Sequence, residues 1–212
     1  MRILVDRLHH PVTALGPGQR VGIWLQGCTL ACPGCLSRDT WDPGAVTETT
    51  VDSVLEIARS LAAAPDGVTI SGGEPFEQPT ALESLVAGIR RWSDELPQPI
   101  DVLVYSGLPW HELRRDHATI LRYADAVIPE PYVADAPPDG PWRGSGNQPL
   151  VLLSELGRDR FRDVDLAGPH LQVATGGGSL WMIGVPRRGD LARFSDAMAT
   201  RAVELEDVSW RP

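Results

Sequence analysis

Only three cysteines occur in the 212 residues, and all three fall between Cys28 and Cys35. An odd number of thiols in so tight a cluster is a poor framework for secreted disulfides and a good one for a metal, so a reducing cytoplasm is the expected location. Clusters of lysine and arginine are missing too, and the formal net charge is -9. A surface that tracks phosphates needs positive charge in its groove, which argues against a nucleic-acid partner. No apolar run is long enough to span a bilayer, so no membrane partner is expected either. The segment from Met1 to Pro11 carries Asp6 and two histidines where a secretory signal would have an apolar run and a small-residue cleavage site. There is no internal repeat.

What remains fits one ordinary domain, large enough to bury about two thirds of the surface its unfolded chain exposes. Val21 to Gln26 is apolar and β-rich and predicts a buried strand that runs at Gly27 into the cysteine loop. Val51, Val54, Leu55, Ala58, Leu61 and Ala62 recur at helical spacing, and Pro65-Asp66-Gly67 stops that helix. Val68 to Ser71 predicts a second strand, Leu82, Leu85, Val86 and Ile89 a second helix, and Ile100 to Tyr105 a third strand. A helical stretch from Trp110 to Tyr123 precedes a fourth strand at Ala126 to Ile128. Strands alternating with helices of this length imply βαβ units around a parallel sheet. The expected class is α/β, a partial (β/α) barrel formed by residues 1–150, with residues 151–212 as a small carboxyl-terminal extension packed on that core. Pro129 to Pro149 is proline-rich and reads as an irregular loop over the sheet. Leu150 to Leu153 then suggests a strand, Leu171 to Ile183 a hairpin broken at Gly176-Gly177-Gly178, and Leu191 to Ala199 a closing helix.

Parallel α/β sheets bind ligands at the carboxyl ends of their strands. Four unusual segments fall there in succession: the cysteine loop, Gly72-Gly73-Glu74-Pro75, Ser106-Gly107 and Pro129-Glu130. Cys28, Cys32 and Cys35 have the spacing C-x3-C-x2-C in a loop with Pro33 and Gly34. Electron-transfer clusters usually take four protein thiolates, so a cluster held by three leaves one iron open to a substrate. A closed zinc site needs four ligands, and His9 or His10 is the alternative fourth. The absence of a second cysteine set excludes an auxiliary cluster. Gly72 and Gly73 lack a Cβ, which lets backbone polar groups approach a ligand, and the carboxylate of Glu74 can accept hydrogen bonds from an ammonium group. Tyr105 and Trp41 read as packing residues, and His111 and His117 as solvated ones.

The C-x3-C-x2-C triad followed by Gly-Gly-Glu-Pro resembles the radical S-adenosylmethionine superfamily. Gly16-Pro17-Gly18 with Arg20, Leu25-Gln26-Gly27-Cys28, Cys32-Pro33-Gly34-Cys35 through Thr40-Trp41, Ser71 to Gln78, Val104-Tyr105-Ser106-Gly107 and Arg143-Gly144-Ser145-Gly146-Asn147-Gln148 narrow the likeness. Together they resemble the activating enzymes of glycyl-radical enzymes, most of all that of anaerobic ribonucleotide reductase. The resemblance implies a 4Fe-4S cluster on Cys28, Cys32 and Cys35 whose open iron binds S-adenosylmethionine. It also implies that Gly72, Gly73, Glu74 and Pro75 hold the methionine amino group, with Ser106, Arg143, Asn147 and Gln148 on the rim of the cofactor site. The expected activity is reductive cleavage to a 5′-deoxyadenosyl radical that abstracts hydrogen from a glycine of a partner glycyl-radical enzyme. Flavodoxin or ferredoxin would supply the electron. Two alternatives stand beside it: the same radical chemistry on a small molecule or peptide, as in 7-carboxy-7-deazaguanine synthases or secondary-metabolite tailoring enzymes, and a zinc-stabilised binding module. Leu36-Ser37-Arg38, where relatives often carry His or Asn, and the long tail are departures from that pattern.

Overall fold

A computed structural model describes residues 1–45, 48–163, 170–176 and 179–206. Nine strands and six helices are present among them: β1 (Arg2–Val12), β2 (Arg20–Leu25), β3 (Glu48–Thr50), α1 (Val51–Leu61), β4 (Gly67–Gly72), α2 (Pro79–Asp94), β5 (Asp101–Tyr105), α3 (Trp110–Asp116), α4 (Ala118–Leu121), β6 (Ala126–Ile128), β7 (Val151–Leu152), α5 (Glu155–Arg160), β8 (Leu171–Gly176), β9 (Ser179–Gly184) and α6 (Asp190–Ala199). Seven strands form one sheet in the order β3-β1-β2-β4-β5-β6-β7, and β8 and β9 form a separate hairpin. The four central strands β2, β4, β5 and β6 are parallel and follow one another in chain order. β1, β3 and β7 pair antiparallel at the flanks. The protein is therefore α/β with a largely parallel central sheet. The residues between β8 and β9, Gly177 and Gly178, lie outside those described.

The two faces of the sheet are covered differently. Val102 and Val104 of β5 and Val127 of β6 face a core with α1, α2, α3 and α4, through Val54, Leu82, Leu85, Ile89, Leu113 and Ile120. Leu103, Ala126 and Ile128, alternating with them along the same strands, face Trp142 and Phe161 instead. Further along that second face, Val12, Leu15 and Trp24 pack against Ile183 of the hairpin. α1 to α4 thus lie on one face, while Trp142 of the proline-rich loop, Phe161 and the hairpin residue Ile183 cover the other. α1 starts where the Thr50 hydroxyl accepts from the Ser53 N–H, an ordinary amino-terminal cap. The stretch from Trp110 to Tyr123 is two helices, separated at His117.

The floor of the sheet is closed by an ion pair with no exposure on either side chain, Arg20 with Asp101, at 2.6 Å. The same guanidinium donates to the Thr69 hydroxyl at 2.7 Å and to the Val68 and Pro17 carbonyls. Gly67 leaves room for it, since a Cβ there would meet the guanidinium at 2.3 Å. Arg20 thereby ties together the amino ends of β2, β4 and β5, at the opposite edge from the cysteine loop. No helix among the described residues is long and apolar enough to cross a membrane.

Candidate functional site

β2 ends at Leu25, and Gly27, with a φ of 99°, turns the chain into the cysteine loop. Both arms of the loop are fastened together. The Gly27 N–H donates to the Thr40 carbonyl at 2.8 Å and the Cys28 N–H to the Trp41 carbonyl at 3.1 Å. The side-chain amide of buried Gln26 donates to the Asp39 and Asp42 carbonyls at 3.0 and 2.8 Å. Inside the loop the Cys35 N–H donates to the Cys32 carbonyl, and Gly34 reverses the chain at a φ of 78°. All three cysteines are free and half-buried.

Backbone N–H groups of Leu30 and Ala31 donate to the Cys28 sulfur, and the Ser37 N–H and the Trp41 indole to that of Cys35. Burial outweighs these donors and pushes both thiols up from the ordinary cysteine value. Free, half-buried thiols with N–H groups already aimed at two of them fit the thiolate corners of an iron-sulfur cluster, whose sulfurs are commonly hydrogen-bonded in this way. Among the described residues no three His, Cys, Asp or Glu side chains close on a single ion-sized point. His9 and His10 do not join the cysteines. The antiparallel register sets His9 opposite Gly22 and Val5 opposite Leu25, so both histidines lie further along β1 from the edge where the loop leaves. The His9 ring meets Trp181 of the hairpin instead.

Three further loops, each leaving the carboxyl end of a parallel strand, carry the cysteine loop. After β4, the Glu77 carboxylate accepts from both the N–H and the hydroxyl of Thr29, at 2.8 and 2.6 Å. After β5, Gly107 faces Leu30, whose Cδ1 would lie 2.4 Å from a Cβ there. After β6, Tyr132 and Ala134 rest against Gly34, at 3.5 and 3.3 Å from where its Cβ would be. Gln78 completes the seating: it accepts from the Leu4 N–H and donates to the carbonyls of Leu4 and Gln26.

Gly72 and Gly73 are brought beside the cysteine loop, and their missing Cβ atoms serve backbone packing. A Cβ on Gly72 would lie 2.3 Å from the Leu25 carbonyl oxygen, and one on Gly73 2.1 Å from that of Gly27. The Gly73 and Glu74 N–H groups donate to those same two carbonyls, each at 2.8 Å. Glu74 is 1% exposed. Its carboxylate accepts from the Phe76 N–H at 3.0 Å, the Ser106 hydroxyl at 2.9 Å and the Gly107 N–H at 2.6 Å, which joins the β4 and β5 loops. Burial dominates over these donors, and the Glu74 pKa is pushed up to about 7. Pro75 is buried at the first position of a short 3-10 turn, Pro75–Glu77.

Ser106 is thus engaged with Glu74. The segment from Arg143 to Gln148 organises the loop after β6. Arg143 pairs with Asp139 at 2.8 Å. Asn147 donates to the Pro131 carbonyl, and Gln148 donates to the Glu130 carbonyl while accepting from the N–H groups of Gly144 and Ser145. Gly144 in turn packs on the Tyr132 ring, with a Cβ there 3.2 Å from Cδ2. These residues hold Tyr132 against the cysteine loop. The roles of Glu77, Gln78 and Tyr132 are absent from the sequence reading. The signal for the first two is that both are polar and close the Ser71 to Gln78 segment that the resemblance covers.

The profile of the family described as 4Fe-4S single cluster domain matches residues 14–151. The anaerobic ribonucleoside-triphosphate reductase-activating protein of Enterobacteria phage T4 is 29% identical over 146 residues, covering 68% of this chain and 91% of that protein. Its namesake from Pasteurella multocida is 32% identical over 146 residues, covering 66% and 91%. That from Haemophilus influenzae is 30% identical over 137 residues, covering 63% and 87%. Among solved structures, QueE from Escherichia coli aligns with 61% of this chain at a TM-score of 0.43 and 14% identity.

Proposed function

The chain belongs to the 4Fe-4S single cluster domain family, and on that premise we propose that it is a radical S-adenosylmethionine enzyme activating a partner glycyl-radical enzyme. When bound at Cys28, Cys32 and Cys35, the cluster supplies the electron that cleaves S-adenosylmethionine to a 5′-deoxyadenosyl radical, which takes a hydrogen atom from a glycine of the partner. The relatives' shared description as activating proteins of anaerobic ribonucleoside-triphosphate reductase supports that partner class. Flavodoxin or ferredoxin is the electron donor in this reading, and the cytoplasm its compartment.

The chain's own residues supply geometry. Gln26, Glu77 and Gln78 fix the cysteine loop on the sheet edge, and Gly72 and Gly73 allow the backbone after β4 to lie flat beside it. The Gly72-Gly73-Glu74-Pro75 segment is then the floor against which the methionine amino group is held, with Ser106, Arg143, Asn147 and Gln148 building the walls behind it. Sequential parallel strands with α1 to α4 on one face support a partial barrel for residues 1–150, and the packing of Phe161 and Ile183 on the other face supports reading the chain from residue 151 as an extension packed on that core.

The observation that carries this reading is the seating of the three free cysteines on successive loops at the carboxyl ends of β4, β5 and β6. It is tested with anaerobically reconstituted, dithionite-reduced protein and a partner reductase bearing α-deuterated glycine. Deuterium is expected in 5′-deoxyadenosine, and Cys28→Ala, Cys32→Ala and Cys35→Ala each abolish both the cluster and the transfer. Label arriving from a deuterated metabolite or peptide, and never from a glycyl-radical partner, would overturn the activating role.

A further inference from the structure

Cys28 is the cysteine closest along the chain to the sheet, and the residue after it, Thr29, is the only one of the loop whose backbone N–H and side chain both bond to the same carboxylate, Glu77, among the described residues. That carboxylate comes from the turn Pro75–Glu77, 48 residues further along the chain. The turn is itself immobilised on either side. Glu74 locks it to Ser106 and Gly107, and Gln78 locks it to Leu4 and Gln26. A carboxylate is therefore held at a fixed position by the residue next to a cluster ligand.

We propose that Glu77 is a positioning residue for the Cys28 corner of the cluster: it fixes the turn after Cys28 through Thr29, and its charge sets the potential of the loaded cluster. The first effect follows from the two hydrogen bonds, because an outer partner that orients a ligand contributes roughly 10–100-fold to metal affinity. The second follows from electrostatics, because negative charge near a cluster disfavours the reduced, more negative form, and net charge near the site is one of the determinants of cluster potential. The two effects separate by substitution. Glu77→Gln keeps an oxygen that accepts both Thr29 donors and removes the charge, whereas Glu77→Ala removes both. Thr29→Val removes the hydroxyl donor and leaves the charge.

The inference rests on the cluster assignment, and the experiment keeps the two apart. Iron and sulfide content, the electron paramagnetic resonance spectrum of the reduced cluster and its midpoint potential are measured on anaerobically reconstituted full-length protein. A wild-type chain that loads no 4Fe-4S cluster removes the assignment itself. With a loaded wild type, Glu77→Gln is expected to keep full iron content and an unchanged spectral shape while its potential moves positive. Glu77→Ala is expected to lose iron to a chelator about 10-fold faster, in line with the loss of an outer-shell partner, and Thr29→Val is expected to lose iron faster than wild type with no positive shift. Glu77→Gln at the wild-type potential, or Glu77→Ala retaining iron like wild type, overturns the proposal. Circular dichroism of Glu77→Gln establishes that the comparison is made on a folded chain.

Discussion

Gly73 lies so close to Gly27 that a Cβ on it would come within 2.1 Å of the Gly27 carbonyl oxygen. That oxygen belongs to backbone and cannot swing aside like a side-chain end. It also accepts the Glu74 N–H at 2.8 Å, so the two segments are hydrogen-bonded at the point of contact. Gly73→Ala is expected to push the base of the cysteine loop off the β4 edge and to destabilise the fold by about 1–3 kcal/mol, the usual cost of overpacking. Chemical denaturation measures that cost, and reduced cluster loading in the same variant follows from the shifted loop. A variant of wild-type stability and iron content would mean that the loop yields freely there.

At the other edge of the sheet, Arg20 and Asp101 make a prediction that does not involve the cluster at all. Both side chains are fully buried, and the carboxylate receives two donors from the guanidinium, at 2.6 and 3.0 Å. Removing one member of such a pair leaves the other charge buried without compensation, at a cost of about 3–5 kcal/mol. Arg20→Met is therefore expected to be severely destabilised, and Arg20→Met with Asp101→Leu to recover much of the loss. A double variant no better than the single would show that the arginine's bonds to Thr69, Val68 and Pro17 outweigh the ion pair.

Much of the fold is legible in the sequence, for a physical reason. β2, β4, β5 and β6 are almost wholly buried and so appear as short, mostly apolar runs, and α1 and α2 carry apolar stripes at helical spacing. β1 is absent from the sequence reading because it is only half-buried: Arg2, Asp6, Arg7, His9 and His10 interrupt its apolar residues, and Pro11 lies near its end. The split of the Trp110 to Tyr123 helix at His117 carries no breaker residue to announce it. For the site, the cysteine spacing and the glycine pair point to the carboxyl edge of the sheet, where the two segments are hydrogen-bonded to each other. The work of Glu77, Gln78 and Tyr132 is illegible because their partners, Thr29, Leu4 with Gln26, and Gly34, are brought to them only by the tertiary fold. Asn147 and Gln148 show the reverse, being visible as a motif while the hydrogen bonds that explain them run to the loop's own backbone.

Glu74 gives the fold a pH dependence whose sign can be worked out. Burial pushes its pKa from 4.5 up to about 7 against the pull of three hydrogen-bond donors. Between these two values the folded chain keeps a proton that the unfolded chain has released, so stability falls as pH rises through that window and levels off above it. At about 1.4 kcal/mol per pKa unit the full span is roughly 3 kcal/mol. Other groups titrate in the same range, so the quantity to measure is the stability gap between wild type and Glu74→Gln at a series of pH values. The glutamine variant starts lower, because an amide nitrogen facing the Gly107 N–H replaces an acceptor with a donor. Its offset is constant with pH, however, and the wild-type advantage should shrink steadily from about pH 4.5 to pH 7 and then hold. A gap that stays flat across the window would show that Glu74 is ionised throughout, with its three donors prevailing over burial.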